Sequence, residues 1–488
     1  MGVAFCVLFA WWFFSGIFMM YWDYPEVTAA ARLARFQPID AARVTVSPQA
    51  AWARLDDDRT PRSVRLAMYD GRPVYRFGFG GDERLVSADD GAEIAGFPPE
   101  QFRRVAAAWT GQPAAGARFE GALTVEDQWT VSGEFRALRP LRKYSWPSGE
   151  EVYVSEVTGA VEQATTRGSR LGAYLGAIPH WLYFTPLRKN GRLWSRIVIW
   201  ASGIATAAAL FGLVVGVWMY APSRRVPYAG TKRLHMIFGL FFGFFACTWA
   251  FSGMLSMDPF PLSGDSDERA ARLESALRGT PPPMKAYAAK PPREALAEAG
   301  SDFPVKELDL TSFAGAPVYL AIGSEGRSRI VPVAGAPVGA FDSRRILDAV
   351  RQAAQPDRVS ESRLLTAYDA YYLDRRRERP LPVLLVLLND EQHTRFYIDP
   401  RTARVVGAYS SSGWMERWLY HGLHSLNLPW LYQHRPAWDL LVLALLGGGL
   451  ALSATAIQLA ARVLRRKAGQ ILLRTRGHTP VSDRPLTG

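Results

Sequence analysis

The sequence predicts a membrane-embedded α+β protein with four transmembrane helices in two duplicated pairs, each pair framing an outer α+β segment. Three observations carry this. Segments 3–22, 197–220, 236–257 and 439–461 are long and almost free of charge. Each supplies the roughly 20 apolar residues that a bilayer core requires. One motif occurs twice, as HMIFGLFFGFFACTWAFSG at 235–253 and MGVAFCVLFAWWFFSG at 1–16. Between the helices, strand patterns fill two long connections.

The first segment lacks a basic start and an A-x-A-like cleavage site, so it reads as a retained helix rather than a signal peptide. Aligning Ser15-Gly16 with Ser252-Gly253 sets an offset of 237 and superposes Trp12 on Trp249, Gly2 on Gly239 and Met20 on Met257. The partner of His235 then falls three residues before Met1. A histidine is expected there if the natural start lies upstream.

The formal charge is +12, and it gathers at membrane boundaries rather than in a nucleic-acid patch. Arg224, Arg225, Lys232 and Arg233 fill the link between helices two and three. Arg462, Arg465, Arg466, Lys467, Arg474 and Arg476 follow helix four. The positive-inside rule makes both clusters, and both termini, cytoplasmic. The expected division is helix one at 1–25, an outer domain at 26–190, helix two at 191–220 and a cytoplasmic loop at 221–234. Helix three at 235–257, a second outer domain at 258–435, helix four at 436–462 and a basic tail at 463–488 complete it. The two cysteines, Cys6 and Cys247, lie in membrane helices at unmatched positions, which excludes an outer disulfide framework.

The outer segments echo each other. Arg139-Pro140-Leu141 matches Arg379-Pro380-Leu381, and Tyr153-Val154-Ser155 through Thr158 matches Tyr397-Ile398-Asp399 through Thr402. Val64–Met68 and Pro73–Phe79 alternate around Asp70-Gly71, a hairpin signal. Val152–Ser155 leads through Thr158-Gly159 into Ala160–Thr165. Val318–Ile322 and Val383–Leu388 read as apolar strands, and Arg345–Ala354 as an amphipathic helix with Ile346, Leu347, Val350 and Ala353 inward. Gly264–Pro292, rich in proline and charge, is expected to be an exposed, mobile connection.

Tyr153, Val154, Ser155, Thr158, Gly159 and Val161 resemble the "YVS-x-x-TG-x-V" hairpin of PepSY domains; Ala403 replaces the glycine in the second copy. With four helices, the chain resembles the PepSY-associated transmembrane family of the bacterial inner membrane. The resemblance implies a place in iron uptake, as in haem-containing ferric-siderophore reductases.

Seven histidines are present. His478 in the basic tail, His393 beside a strand and His434 in a Gln-His-Arg-Pro loop read as ordinary surface residues. His180 and His424 each precede a tryptophan, Trp194 and Trp438, by 14 residues. They are repeat mates just before helices two and four, on the outer side. His421 shares a helical face with His424 and is the alternative ligand. His235 opens helix three on the inner side. Interfacial residues in an aromatic belt are the bland reading of these histidines; haem ligation is the sharp one. Two imidazoles suffice for haem, whose porphyrin supplies the other donors. A bare metal would need more ligands, and no H-E-x-x-H or paired cysteines occur. Gly203, Ala207, Gly447, Gly448, Gly449 and Ala451 leave room for a flat macrocycle or for close helix packing. No C-x-x-C-H exists, so haem b rather than covalent haem is expected. No Gly-rich nucleotide fingerprint opens a helix, so electrons would come from a quinol or a separate donor.

The expected function is an inner-membrane haem-b protein with one or two haems, embedded in membrane lipid, that reduces ferric siderophore on the periplasmic side. His180, His424 and His235 would be haem-iron ligands. The alternative is a non-enzymatic protein that restrains an extracytoplasmic protease or partner, adding a strand at apolar edges of Val318–Ile322 or Val383–Leu388. Transport of the iron complex ranks behind both, since the helices carry few intramembrane charges.

Overall fold

The computed structural model describes residues 2–80, 82–220, 226–260, 266–300 and 303–476, with side chains between 5 and 470. Arg224, Arg225, Gly264 and His478 lie outside the described residues.

The chain opens with helix α1 (Gly2–Met19) and the short helix α2 (Ala29–Arg35). Strands β1 (Ser63–Tyr69), β2 (Arg72–Gly78) and β3 (Glu83–Ser87) precede helix α3 (Pro99–Thr110). Strands β4 (Arg118–Leu123), β5 (Leu141–Ser145), β6 (Glu151–Ser155) and β7 (Val161–Thr165) follow. A single-turn helix α4 (Ala177–His180) leads to the long helix α5 (Gly191–Met219). The order then recurs: α6 (Gly230–Leu255), α7 (Ser266–Arg278), β8 (Glu307–Phe313), β9 (Ala316–Ile322), β10 (Ser328–Pro332) and α8 (Ser343–Ala353). Strands β11 (Val359–Leu365), β12 (Val383–Leu388), β13 (Arg395–Asp399) and β14 (Arg404–Tyr409) lead to helix α9 (Ala437–Arg476). The strands β1, β2 and β6 begin 244 residues before β8, β9 and β13. Even the first hairpin turn repeats, with Asp70 and Gly71 at φ 48° and 79° and Ala314 and Gly315 at 50° and 79°. Both residues of such a turn need positive φ, which suits it to the twist of the strands it joins.

Two compact units result. The helical unit comprises Met1–Asp23, Gly172–Phe260 and Trp418–Gly488. Among the described residues, α5, α6 and α9 are long and apolar enough to cross a membrane, and α1 is a shorter apolar helix. The chain is thus a membrane protein with α+β content. Within the unit α5 packs on α6, α6 on α9 and α1 on α9. Gly448 and Gly449 serve this packing: an added Cβ would lie 2.2 Å from the Phe242 ring and 2.6 Å from that of Phe13. These two glycines admit phenyl rings, the close-packing use of small residues. Helix α9 does not stop near 462 but runs through the basic stretch 462–467, where Arg and Lys are good helix formers.

The strand unit comprises Tyr24–Leu171 and Pro261–Arg417. Its centre is one six-stranded sheet, ordered β10-β9-β8-β1-β2-β3, flanked by the sheets β4-β5-β6-β7 and β11-β12-β13-β14. Strands β1 and β8 pair antiparallel, Val64 opposite Leu310 and Leu66 opposite Leu308. Segments 26–190 and 258–435 are therefore not two separate domains. Each first hairpin would leave an open edge with unpaired N–H and C=O groups, and joining them hides both edges. Residues 172–190 and 418–435 belong to the helical unit instead.

Two further expectations are corrected. The 264–292 stretch is not a mobile connection in its described part, because Ser266–Arg278 forms α7 and buries Leu273 and Leu277. These leucines lie four apart on one helical face, and the prolines gather after the helix at 281–283. Nor do Val318–Ile322 and Val383–Leu388 offer free edges. Strand β9 lies between β10 and β8, and β12 between β11 and β13. Their continuous apolar character reflects burial, not exposure.

Candidate functional site

Within the helical unit, chain 172–180 lies close against α1. Glycines make this approach possible: a Cβ on Gly172 would meet Trp22 at 2.5 Å, and one on Gly176 would meet Met19 and Phe18 at 3.3 Å. His180 thereby reaches Ser15, with Nδ1 3.0 Å from Oγ. Trp12 Nε1 donates to the His180 carbonyl at 3.1 Å. The second half repeats the arrangement. His424 Nδ1 lies 3.0 Å from Ser252 Oγ, and Trp249 Nε1 donates to the Leu423 carbonyl at 3.0 Å. Each histidine segment is also tied to the helix that follows: Trp194 Nε1 donates to the Trp181 carbonyl and Trp438 Nε1 to that of Ser425. The glycines after the serines leave the rings space. A Cβ on Gly16 would come within 3.8 Å of His180 Cε1, and one on Gly253 within 3.5 Å of His424 Cε1.

The two imidazoles meet, their ring centres 6.0 Å apart and their planes 74° apart. Both lie outside the long apolar helices, and burial pushes both well below the ordinary histidine range. Each is therefore neutral. Each serine is placed to bear on the tautomer. Ser15 Oγ donates to the Trp11 carbonyl at 2.7 Å, and Ser252 Oγ to that of Trp249 at 3.2 Å. A hydroxyl has one proton, so where that proton goes to the carbonyl the oxygen accepts from Nδ1–H. That leaves the Nε2 lone pair free, the orientation that a hydrogen bond at the other ring nitrogen gives metal-binding histidines.

His235, on α6, shows the same device. Its Nδ1 lies 3.0 Å from Thr455 Oγ1, which donates to the Leu452 carbonyl at 2.7 Å. His235 lines a cavity of about 610 Å³ walled by Phe9, Phe13, Gly239 and Gly243 among others. That volume is typical of a cofactor or small-molecule pocket.

His421 does not meet His180. It is exposed on the π-helical turn Glu416–Gly422, its ring centre 4.8 Å from that of Tyr420. His393 occupies a turn at φ 47°, and His434 Nδ1 contacts the Trp430 carbonyl. Sequence reasoning missed Ser15, Ser252 and Thr455. The signal for the first two was the Ser-Gly pair in the repeated motif; nothing in the sequence marks Thr455.

The donor set suits a haem rather than a bare metal, because two neighbouring imidazoles would be enough where a porphyrin supplies the remaining nitrogens. Among the described residues, no group of three or more His, Cys, Asp or Glu is placed to hold a bare metal ion.

Comparison with known proteins agrees with the apolar helices. The family model described as the PepSY-associated TM region matches residues 1–312. No curated protein and no solved structure matches the chain. With well over half its length matched, the chain belongs to the PepSY-associated transmembrane family.

Proposed function

We propose that this protein is an inner-membrane haem-b electron-transfer protein that reduces ferric iron, siderophore-bound, on the periplasmic side. The carrying observation is the His180–His424 pair, each Nδ1 held by a serine whose own proton is spent on a helix carbonyl. In this reading α1, α5, α6 and α9 all cross the bilayer, both termini are cytoplasmic, and the 244-residue recurrence records a duplicated PepSY unit. His180 and His424 would hold one haem. His235, beside Thr455 and lining its own cavity, would be a ligand for a second.

Bound haem supplies a reversible one-electron carrier shielded from water. The chain's residues do the rest. Ser15, Ser252 and Thr455 hold the imidazoles in the ligating tautomer, and Trp12 and Trp249 fix the backbone around them. Oxidation of one quinol to quinone would release two protons and two electrons, enough to reduce two ferric ions to ferrous; a one-electron donor would reduce one. Ferrous iron is held less tightly by hard oxygen donors and is released.

The test is a purified, membrane-reconstituted sample. A Soret band, a pyridine haemochrome and reoxidation of the reduced sample by a ferric hydroxamate chelate are expected. A colourless, folded protein after expression with added haem precursor defeats the reading.

A further inference from the structure

The two halves of the strand unit treat one groove differently. In the second half, α7 packs on β8, α8 and β14 and buries Leu273 and Leu277, 5% and 0% exposed. The matching elements of the first half are β1, α3 and β7, and the matching helix is α2. Helix α2 buries no residue. It borders the groove through polar contacts instead: Arg32 pairs with Glu162 at 3.1 Å, and Lys306 Nζ donates to the Leu33 and Ala34 carbonyls. Between α2 and β1, α3 and β7 a cavity of about 780 Å³ remains.

We propose that this open groove binds an organic anion with a flat, apolar body, anchored by Arg35 and Trp109. Five arginines line the cavity, and four are matched by carboxylates: Arg32 by Glu162, Arg65 and Arg76 by Glu83, and Arg104 by Asp70. Arg35 has no carboxylate partner among the described residues. Its guanidinium lies 4.4 Å from the Trp109 ring centre and donates to the Trp109 and Ala31 carbonyls. A guanidinium stacked on an indole is pre-organised for a planar anion. Val105, Ala108 and Val161 supply apolar wall for the rest of the ligand. The volume suits a small molecule. A second helix like α7, about 20 Å long and 10 Å across, exceeds it.

This site does not depend on haem, and its test reads binding on haem-free protein. Full-length protein in nanodiscs is titrated calorimetrically with 2-naphthoate and with neutral 2-naphthamide, against empty nanodiscs. Saturable binding of one naphthoate per chain is expected. Arg35→Gln, at an exposed position, should weaken it at least about tenfold, the worth of a hydrogen bond to a charge. Naphthamide should bind as weakly to the native chain. Ala108→Trp, also at an exposed position, should abolish binding while leaving the melting temperature unchanged. Absence of saturable binding to the native chain, or equal binding by the Ala108→Trp chain, overturns the proposal.

Discussion

Helices α2 and α7 occupy matching places in the two halves yet do opposite work. The second seals its groove with leucines; the first spans its groove with arginines and leaves a cavity. The strands beneath keep their spacing and even their turn geometry. The difference teaches where a repeated fold is free to diverge. Sheet register is held by many coupled hydrogen bonds and by a buried face, whereas a covering helix is held by a few side chains. One or two leucines decide whether a groove is core or site.

The largest expected effect tests that contrast directly. Leu277→Ala should cost about 2–5 kcal/mol of stability, the usual range for a buried leucine. Leu33→Ala, 244 residues earlier and half-buried, should cost under about 1 kcal/mol. Equal costs in denaturant unfolding would erase the distinction between the helices. Next comes the β6–β7 turn. Gly159 has φ 67°, and a Cβ there would lie 2.4 Å from the Tyr69 hydroxyl and 2.6 Å from Phe97. Gly159→Ala should therefore cost about 2–3 kcal/mol through crowding. Its mate Ala403 already carries a Cβ at φ 54°, so Ala403→Gly should gain at most about 1 kcal/mol.

In the helical unit the halves should behave alike. Ser15→Ala and Ser252→Ala should each lower haem affinity by about 10–100-fold, as losses behind a ligating histidine do. Both should raise the midpoint potential, since a less basic imidazole stabilises ferric iron less. Threonine at either position should restore both values. An unchanged potential in redox titration would show that the hydroxyls do not orient the ligands.

The smallest effect again separates the halves. Burial, with Asp309 adding, pushes the Glu307 carboxyl from 4.5 up to about 7, while its mate is Ser63. A raised carboxyl pKa favours the folded state at low pH. That stability is present below about 4.5 and is lost as pH rises toward 7, by at most about 1.4 kcal/mol per pH unit. Glu307→Gln should flatten this decline in melting temperature between pH 4.5 and 7. An unaltered slope would place the titration elsewhere.

Much of this was legible beforehand. The apolar runs, the Asp70-Gly71 hairpin, the β6–β7 turn and the amphipathic α8 follow from periodicity and turn chemistry, which are local. The meeting of His180 and His424 was foreshadowed by their equal spacing from Trp194 and Trp438. The role of α7 was obscured because Pro281, Pro282 and Pro283 dominate the composition of a stretch in which only two leucines are buried. The apolar β9 and β12 looked like free edges because burial on both faces and an exposed sticky edge read alike in one dimension.

The sequence by itself determined the recurrence, the elements and the histidines, since each depends on residues close together in the chain. Tertiary structure alone decided that β1 pairs with β8, that Thr455 meets His235 across 220 residues, and that α2 roofs a cavity while α7 fills one. Those outcomes turn on which surfaces hide one another from water and which polar groups find partners. Such choices are made between distant segments, and no local pattern encodes them.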